Sequence, residues 1–348
     1  MRGRICICGS QVPFVRGGAE SLYDSLRDEL RRRGFEAEVV TLPFSWSDRI
    51  QILKSGLAWR LVNLDGRESP RVDLVIATRF PSYLVKHPNK VVWLIHQYRQ
   101  AYDLLGTPYS DFGTDSRDRR VVEMIRAMDR RALGEARSLF SISRNTAERL
   151  ERFVGLEAEP LYPPPLLGEA LRGDGYGDYV LGVGRLDALK RWDLLVRAMA
   201  ATRSSGRALI AGEGPEQERL ARLIADLGLG GRVELLGRVS DERLLDLYAE
   251  ARAVFYAPFD EDYGYVTVEA FKAARPVVTT TDAGGVREFV SDGETGFVCP
   301  PDAIRQIASR LDRLAEDEEL ARRLGERGRE RVREIGWDQV IDRLTQTL

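Results

Sequence analysis

Two carboxylates, Glu261 and Glu269, stand eight positions apart where a strand is expected to pass into a helix. The apolar run 253–257 predicts a buried strand, and the segment 266–274 predicts a helix. One carboxylate should therefore lie in the loop after the strand and the other inside the helix. In open α/β sheets ligands bind at this edge, so both side chains are candidates for ligand contacts.

The backbone at the start of the predicted helix suits an anion. Amides of residues 265–267 would form the helix N-terminus, which favours phosphate. A carboxylate there cannot favour the phosphate itself, so its expected use is to accept hydrogen bonds from sugar hydroxyls. The pattern indicates a ligand with both phosphates and hydroxyls, such as a sugar nucleotide. The alternative is an ordinary βαβ unit with solvated acids.

The string from Glu261 to Glu288 resembles the retaining glycosyltransferases of family 4. The resemblance rests on the two glutamates, on Pro-Val-Val from Pro276 and on Gly-Gly-x-x-Glu from Gly284. It implies the GT-B architecture, an α/β fold in which two Rossmann-like doubly wound domains face each other across a cleft. The N-terminal domain would bind the acceptor, and the C-terminal domain would bind a nucleotide-diphosphate sugar.

Two cations five positions apart extend the resemblance. Arg185 and Lys190 follow a strand predicted over 179–183 and precede a helix predicted from Trp192, so both could reach one diphosphate. The string Gly-Arg-Leu-Asp-x-x-Lys from Gly184 closely matches the family motif whose arginine and lysine hold the donor diphosphate. No Asp-x-Asp stands where it would hold a metal. We therefore expect no metal and no cofactor, and the two cations should neutralise the leaving diphosphate.

The resemblance also implies a role for each site position. Glu269 should bind the ribose hydroxyls and Glu261 the sugar hydroxyls, and the loop around Gly237 should lie against the nucleobase through its backbone. No carboxylate is clearly placed as a covalent nucleophile, so the family favours a front-face displacement in which the leaving phosphate helps to deprotonate the acceptor. The expected catalytic residues are His96, Arg185, Lys190 and Glu261. The expected donor-binding residues are Gly17, Gly18, Gly184, Arg185, Lys190, Gly212, Gly237, Val239, Glu261, Tyr263, Gly264, Tyr265, Val266, Thr267 and Glu269.

The first loop of the chain is also a glycine-rich connection between a predicted strand and a predicted helix. A strand predicted over 4–8 is followed by Gly17-Gly18-Ala19-Glu20 and by a helix that starts near Gly18, which brings backbone amides close to a phosphate. The string is not Gly-x-Gly-x-x-Gly, which argues against a dinucleotide fingerprint. It resembles the first loop of family 4 enzymes, which lies over the donor phosphate and the acceptor. A tight turn that needs glycine is the alternative.

His96 follows a strand predicted over 90–95, at the sheet edge where ligands bind. Family 4 enzymes often carry a histidine after this strand, pointing into the cleft near the transferred sugar; a purely structural histidine is the alternative. The aromatic segment 98–115 that follows is a candidate acceptor-recognition loop. The segment 46–59 remains unassigned.

Three consecutive prolines at 163–165 mark a domain boundary, because they fit neither a helix nor a central strand. The predicted domains are residues 1–165, which would bind the acceptor, and residues 166–335, which would bind the nucleotide sugar. Residues 336–348 should form a helix that packs back on the N-terminal domain.

The chain of 348 residues has a net charge of −2 that is unevenly divided. Up to Pro165 there are 26 Arg and Lys against 21 Asp and Glu, whereas the remainder has 26 against 33. A basic first half suits an anionic acceptor or a membrane surface, although solvated arginine-rich helices are the favoured explanation. Three cysteines without a Cys-x-x-C indicate a reducing compartment, and the first residues are too weakly apolar for a signal peptide. A cytoplasmic location is expected, with the cytoplasmic face of a membrane as a further option.

These observations predict a retaining glycosyltransferase that moves a sugar from a UDP- or GDP-sugar to a glycan, a lipid-linked acceptor or a small molecule. Nucleic acid is not an expected partner. Two alternatives stay open: another GT-B enzyme, such as a sugar-nucleotide epimerase or a phosphorylase, and a non-catalytic sugar-nucleotide-binding subunit.

Overall fold

The computed structural model describes residues 2–14, 17–45, 48–64 and 71–348, and it divides into two compact units. The first unit consists of Met1–Leu166 together with Ile335–Leu348, and the second unit is Leu167–Glu334. The change from one unit to the next falls just after the three prolines at 163–165. Each unit contains its own six-stranded parallel sheet.

The first unit has the strand order β2-β1-β3-β4-β5-β6, so the chain reverses its direction of travel across the sheet between β1 and β3. This is a doubly wound order, with its switch point between those two strands. Its strands are β1 (Arg4–Gln11), β2 (Glu36–Pro43), β3 (Leu74–Ala77), β4 (Lys90–Leu94), β5 (Ser138–Ser141) and β6 (Glu159–Pro160). Its helices are α1 (Gly18–Arg32), α2 (Arg49–Leu61), α3 (Ser116–Gly134), α4 (Arg144–Val154) and a C-terminal helix (Trp337–Thr345).

Local sequence explains where these helices begin and which face they bury. In α1 the side chains of Leu22, Leu26 and Leu30 recur every four residues and are buried, as expected of the core-facing stripe of a helix. Helix α4 begins after Ser143, whose hydroxyl accepts a hydrogen bond from Thr146 N at 3.0 Å. It ends at Gly155, which has a φ of 74° and so adopts the left-handed conformation that glycine tolerates.

The C-terminal helix belongs to the core of the first unit. Trp337 meets Trp93 of β4 edge to face, with ring centroids 6.4 Å apart. The Trp93 indole nitrogen donates to the Leu161 carbonyl at 2.9 Å, so this buried ring keeps a polar partner. Val340, Ile341 and Leu344 are buried on the same helix, in the spacing of one apolar face.

The second unit has the strand order β12-β11-β10-β7-β8-β9, which is the doubly wound order with its switch point between β7 and β10. Its strands are β7 (Tyr179–Val183), β8 (Arg207–Ala211), β9 (Val233–Gly237), β10 (Ala253–Phe255), β11 (Val277–Thr280) and β12 (Gly296–Cys299). Its helices are α5 (Trp192–Ala201), α6 (Gln217–Asp226), α7 (Asp241–Glu250), α8 (Tyr265–Lys272), α9 (Ile304–Glu316) and α10 (Glu318–Arg331).

The predicted fold class is confirmed, because both units are Rossmann-like α/β structures. Two local predictions were wrong. The string Gly212-Glu213-Gly214-Pro215 predicts a helix start, but α6 begins only at Gln217. The string Gly284-Gly285-Val286 predicts the start of another helix, but the chain forms a single 3₁₀ turn over Gly285–Glu288. The unassigned segment 46–59 contains most of α2, while residues 46 and 47 lie outside the described part of the chain. Across the described ranges, none of the helices combines the length and the apolar character that a membrane span requires.

Candidate functional site

The switch point of the second unit brings together the loops that follow β7 and β10. These strands are adjacent, with Ala253 paired to Val180 and Val254 to Leu181. The connections that leave them diverge, which opens a crevice at the carboxyl edge of the sheet. Arg185 and Lys190 lie in the first connection and Glu261 in the second.

Lys190 and Glu261 form an ion pair in this crevice. The Lys190 ammonium donates to Glu261 Oε2 at 2.5 Å and to the Tyr256 hydroxyl at 3.0 Å. Asp187 positions the lysine, because its carboxylate caps the single 3₁₀ turn Ala188–Lys190 by accepting from Lys190 N at 3.2 Å. The side chains of the pair are 19% and 22% exposed, so the pair is accessible to a ligand but largely screened from water.

The electrostatics of this cluster keep the lysine charged. Burial lowers the pKa of Lys190, but the Glu261 carboxylate and then Tyr256 more than offset this, so that the pKa lies well above its usual value. Burial, followed by the charge of Glu261, raises the pKa of the Tyr256 phenol, which therefore stays neutral. Lys190 is thus a fixed positive charge at neutral pH and a poor proton donor.

Arg185 lies in the same loop and is more exposed than Lys190. Its side chain is 62% exposed, and its Nε lies 4.0 Å from Asp187 Oδ2. Its backbone is fixed, because the Trp192 indole nitrogen donates to the Arg185 carbonyl at 2.9 Å. The structure therefore holds the start of the side chain while leaving its guanidinium free to reorient.

Arg191 is a structural residue that sequence analysis missed. It adopts a left-handed backbone conformation with φ of 52°, and its guanidinium donates to the carbonyls of Ala257 and Pro258 at 2.9 and 2.8 Å. It also binds Asp282 through both carboxylate oxygens, at 2.7 and 2.8 Å. Burial raises the pKa of Asp282, but its hydrogen bonds from Arg191 and Thr280 outweigh burial and lower it overall. Arg191 therefore ties the end of β10 to the end of β11 and fixes the loop that carries Glu261.

Two glycines hold the Glu261 loop from the other side. Gly285 N donates to the Glu261 carbonyl at 2.8 Å, and Glu261 N donates to the Ala283 carbonyl at 3.3 Å. A Cβ at Gly284 would lie 2.5 Å from the Glu261 carbonyl oxygen, and one at Gly285 would lie 2.5 Å from the Asp262 carbonyl oxygen. Larger residues at these positions would push the loop away, so the Gly-Gly string serves close backbone approach.

The first turn of α8 is open to an anion. Its N-cap, Gly264, has a φ of 85° and supplies no side-chain cap. Thr267 N is bonded to the Gly264 carbonyl at 2.9 Å, whereas the Thr267 hydroxyl is buried and has no hydrogen-bond partner among the described residues. Backbone amides and hydroxyl donors at a helix N-terminus favour phosphate. Tyr265 and Val266 provide the other amides of this turn, and Tyr263, directly before Gly264, is buried against the Tyr265 ring at a centroid distance of 5.1 Å.

Glu269 lies deeper, one turn further along α8. It is 5% exposed, and its Oε2 accepts a hydrogen bond from the buried Tyr248 hydroxyl at 2.9 Å. Burial and then the charge of Glu269 raise the pKa of the Tyr248 phenol. The structure therefore fixes one carboxylate oxygen of Glu269 with a side chain of α7.

Three glycine loops meet at the carboxyl edge of β7, β8 and β9. Gly184 N donates to the Ala211 carbonyl at 3.0 Å, and Gly212 N donates to the Gly237 carbonyl at 2.8 Å. Gly184 and Gly212 have φ values of 144° and 148°, and a Cβ at Gly212 would overlap the Gly184 carbonyl. This packing leaves backbone groups without side chains along the edge. Val239 lies in the short loop between β9 and α7.

The switch point of the first unit, between β1 and β3, carries a separate polar cluster. Gly17 caps α1, and its amide donates to Glu20 Oε2 at 2.9 Å, while Gly18 is the first helical residue. Glu20 is ion-paired with Arg79, which follows β3 and also donates to Ser10 Oγ at 3.1 Å. Sequence analysis missed Arg79 and Ser10, although a cation directly after a predicted strand could have indicated this role.

His96 and the loop behind it also belong to the first unit. His96 comes two residues after β4 and is partly exposed, and its Nδ1 lies 2.7 Å from the Gln97 carbonyl oxygen. Tyr102 and Phe112 are buried, and Tyr102 donates to Asp129 at 2.8 Å. These aromatic residues therefore pack in the core, so most of the aromatic character predicted for an acceptor loop serves folding. Within the described ranges, no group of three or more His, Cys, Asp or Glu side chains could hold a metal ion.

The second unit matches a known family over most of its length. Residues 172–331 fit the family model described as glycosyl transferases group 1. The match covers just under half of the chain, so the likeness to this family rests on the second unit. We call the matched residues the group 1 domain, and the Lys190–Glu261 crevice, α8 and the glycine loops all fall within it.

Named relatives of this group 1 domain include sugar-transferring enzymes. The alpha-D-kanosaminyltransferase of Streptomyces kanamyceticus is 29% identical over 73% of this chain and 64% of its own length. The chain spans 64% or less of the length of the first curated relatives it matches.

Two solved structures show the same fold along the whole chain. Sucrose-phosphate synthase from Thermosynechococcus elongatus has a TM-score of 0.80 at 20% identity, covering 99% of this chain and 98% of its own. HepE from Anabaena, solved in complex with UDP and glucose, has a TM-score of 0.70 at 19% identity, covering 99% of this chain and 100% of its own. The group 1 domain and the first unit together therefore have the GT-B fold.

Proposed function

We propose that the chain is a retaining glycosyltransferase that moves a sugar from a UDP- or GDP-sugar to a glycan, a lipid-linked acceptor or a small molecule. The observation that carries this proposal is the Lys190–Glu261 pair in the crevice of the second unit. Glu261 comes three residues before Gly264, the N-cap of α8. A sugar nucleotide offers hydroxyls to the carboxylate and phosphates to the cation and the amides.

In this proposal the diphosphate is held by Lys190, by Arg185 and by the first turn of α8, with the Thr267 hydroxyl as a further donor. The exposure of Arg185 supports its part, because the guanidinium can turn towards an incoming phosphate. Glu261 accepts hydrogen bonds from the transferred sugar and Glu269 accepts them from the ribose. The UDP and glucose in the Anabaena structure support a donor of this class.

Lys190 acts as a fixed charge in the chemical step. When the bond between the sugar and the phosphate breaks, negative charge grows on the leaving diphosphate. A lysine whose pKa is raised keeps its proton and stabilises that charge electrostatically. No metal is needed for this task, so turnover should persist in excess EDTA. Activity that is lost in EDTA and restored by Mg²⁺ or Mn²⁺ would contradict this part of the proposal.

Retention of configuration follows from front-face displacement. The acceptor oxygen attacks the anomeric carbon on the face from which the diphosphate departs, and a phosphate oxygen takes the acceptor proton. The likeness to family 4 supports this route. His96 is proposed to contribute to turnover from the first unit, and that unit is proposed to bind the acceptor.

The test combines a donor screen with product stereochemistry. The purified chain is incubated with UDP- and GDP-sugars and a panel of glycan, lipid-linked and small-molecule acceptors. Nucleotide release is followed by chromatography, and the anomeric configuration of the glycosylated acceptor is read by proton NMR. We expect release of a nucleoside diphosphate and an α-linked product from an α-linked donor, with both lost in Glu261→Gln. An inverted product would exclude retention, and an epimerised nucleotide sugar without transfer would replace the proposal with an epimerase.

A further inference from the structure

Helix α2 of the first unit is apolar on two faces. Its inner face buries Ile52, Gly56 and Trp59. Its outer face exposes Ile50, Leu57 and Leu61, which are 46%, 56% and 74% accessible. A second apolar face on a helix is normally covered by another surface, so the outer face of α2 has the composition of a contact surface.

Helix α3 extends this surface. Met124 is 51% exposed, and together with α2 it borders an apolar groove of about 380 Å³. The two helices pack closely at Gly56, where an added Cβ would overlap the Met128 side chain. We call the exposed faces of Ile50, Leu57, Leu61 and Met124, with the groove between the helices, the α2–α3 surface.

The charged residues that line the groove of the α2–α3 surface have one sign. Lys54, Arg60 and Arg131 line the groove, and no Asp or Glu is among its described lining residues. Arg60 is neutralised, because it binds Glu135 at the end of α3. Lys54 is exposed, and Arg131 is 77% exposed with its Nε 3.6 Å from Glu135 Oε1, so both ammonium and guanidinium groups can reach an external anion.

We propose that the α2–α3 surface docks on an anionic lipid bilayer. The exposed apolar side chains enter the boundary between headgroups and acyl chains, and Lys54 and Arg131 contact the anionic headgroups. The outer stripe of α2 runs from Ile50 to Leu61, about 16 Å along the helix, which suits a helix lying in the plane of the interface. The methionines can adapt to an irregular lipid surface because their side chains are unbranched.

The charge pattern favours lipid over a second copy of the chain. In a two-fold interface the same patch would meet itself, which would place Lys54 and Arg131 opposite like charges with no acid in the groove to pair them. An anionic bilayer removes that conflict. Only the purpose of this docking rests on the proposed function: a membrane-docked transferase could reach a lipid-linked acceptor.

The test is vesicle co-sedimentation of the full chain. Vesicles of phosphatidylcholine alone are compared with vesicles that contain half phosphatidylglycerol, at 0.1 and 1 M NaCl. We expect binding to the anionic vesicles that weakens at high salt, because the Debye length falls from about 10 to about 3 Å. Each basic residue near an anionic surface contributes about 1 kcal/mol, or roughly fivefold in partitioning, so Lys54→Glu with Arg131→Glu should weaken it by about 25-fold or more.

Matched variants separate this surface from general effects. Leu57→Ser with Leu61→Ser should also weaken vesicle binding at least tenfold, and both positions are exposed enough that folding should survive, which circular dichroism checks. The controls are Leu227→Ser and the pair Arg323→Glu with Arg327→Glu, all exposed in the second unit, which should stay within twofold of wild type.

Three results would overturn the inference: no vesicle binding, equal binding to both vesicle types at both salt concentrations, or unchanged binding in the α2–α3 variants. Self-association in sedimentation velocity that the Leu57 and Leu61 substitutions abolish, without vesicle binding, would assign the surface to a second copy and would also overturn it. Nucleotide release from a soluble donor is measured in the same samples. Intact release with no vesicle binding rejects this inference alone, whereas absent release with salt-sensitive vesicle binding rejects the proposed function alone.

Discussion

Replacing Lys190 by alanine should lower turnover strongly while the protein remains folded. The change removes an ammonium group that lies 2.5 Å from Glu261 and 3.0 Å from the Tyr256 hydroxyl, at the point where the leaving diphosphate is proposed to sit. One preorganised donor to developing charge contributes about 10²–10³ in rate, or roughly 2.7–4 kcal/mol. We therefore expect kcat to fall by about that factor, with a smaller loss of donor affinity.

The stability loss can be bounded from the exposure of the pair. Breaking a fully buried ion pair costs about 3–5 kcal/mol, whereas an exposed pair contributes about 0–1 kcal/mol. The side chains here are 19% and 22% exposed, so we expect Lys190→Ala to lower the free energy of unfolding by about 1–3 kcal/mol. The double variant Lys190→Met with Glu261→Gln, which leaves no unpaired charge, should regain most of this stability without regaining turnover.

The assay is steady-state nucleotide release in EDTA with folding checked by circular dichroism. Lys272→Ala is the matched control, because it removes a lysine from the same unit whose ammonium donates to the Arg333 carbonyl at 3.3 Å. It should keep turnover within about twofold. Turnover within twofold of wild type for both Lys190→Ala and Arg185→Ala would refute the assignment of these cations to the diphosphate.

The remaining predictions concern the carboxylates, the histidine and one buried acid. Glu269→Ala should weaken binding of the bare nucleoside diphosphate and of the full donor, whereas Glu261→Ala should weaken only the sugar-bearing ligand; equal losses in calorimetry would mean that the two roles are wrongly assigned. His96→Ala should cut turnover while donor binding stays nearly intact, and near-normal turnover in a folded variant would make His96 purely structural. Burial raises the pKa of Asp129 from 3.8 to about 7, although the hydrogen bond from the Tyr102 hydroxyl opposes this shift. The folded state thus keeps a proton that the unfolded state releases, and stability should fall as pH rises from 4 to 7, by at most about 4 kcal/mol. Asp129→Asn should remove this fall in denaturant melts, and parallel pH profiles of the two proteins would contradict the argument.

The sequence predicted the fold well because the strands of parallel sheets are short apolar runs. Tyr179–Val183 was predicted with the observed bounds, and most other strands differ by one to three residues at an end. The same logic failed for α2. Its apolar side chains lie on both the inner and the outer face, so no single helical stripe was visible in the sequence.

The site was predictable where motif and topology agree, and not where tertiary contacts decide. The sequence predicted Lys190 and Glu261 as members of one site, and their 2.5 Å contact depends on β7 lying beside β10. Arg191 could not be identified, because its function depends on a positive φ and on five acceptors from distant loops. Gly284 was expected to start a helix, whereas its closeness to the Glu261 carbonyl allows only one tight turn.

A crystal structure of the chain with a bound nucleoside diphosphate, grown in EDTA, would test the diphosphate site directly. We expect the diphosphate to lie within hydrogen-bond distance of the Lys190 ammonium and of the first-turn amides of α8, with the ribose beside Glu269. A nucleotide bound away from the β7–β10 crevice, or in it with the diphosphate remote from Lys190, would contradict this assignment.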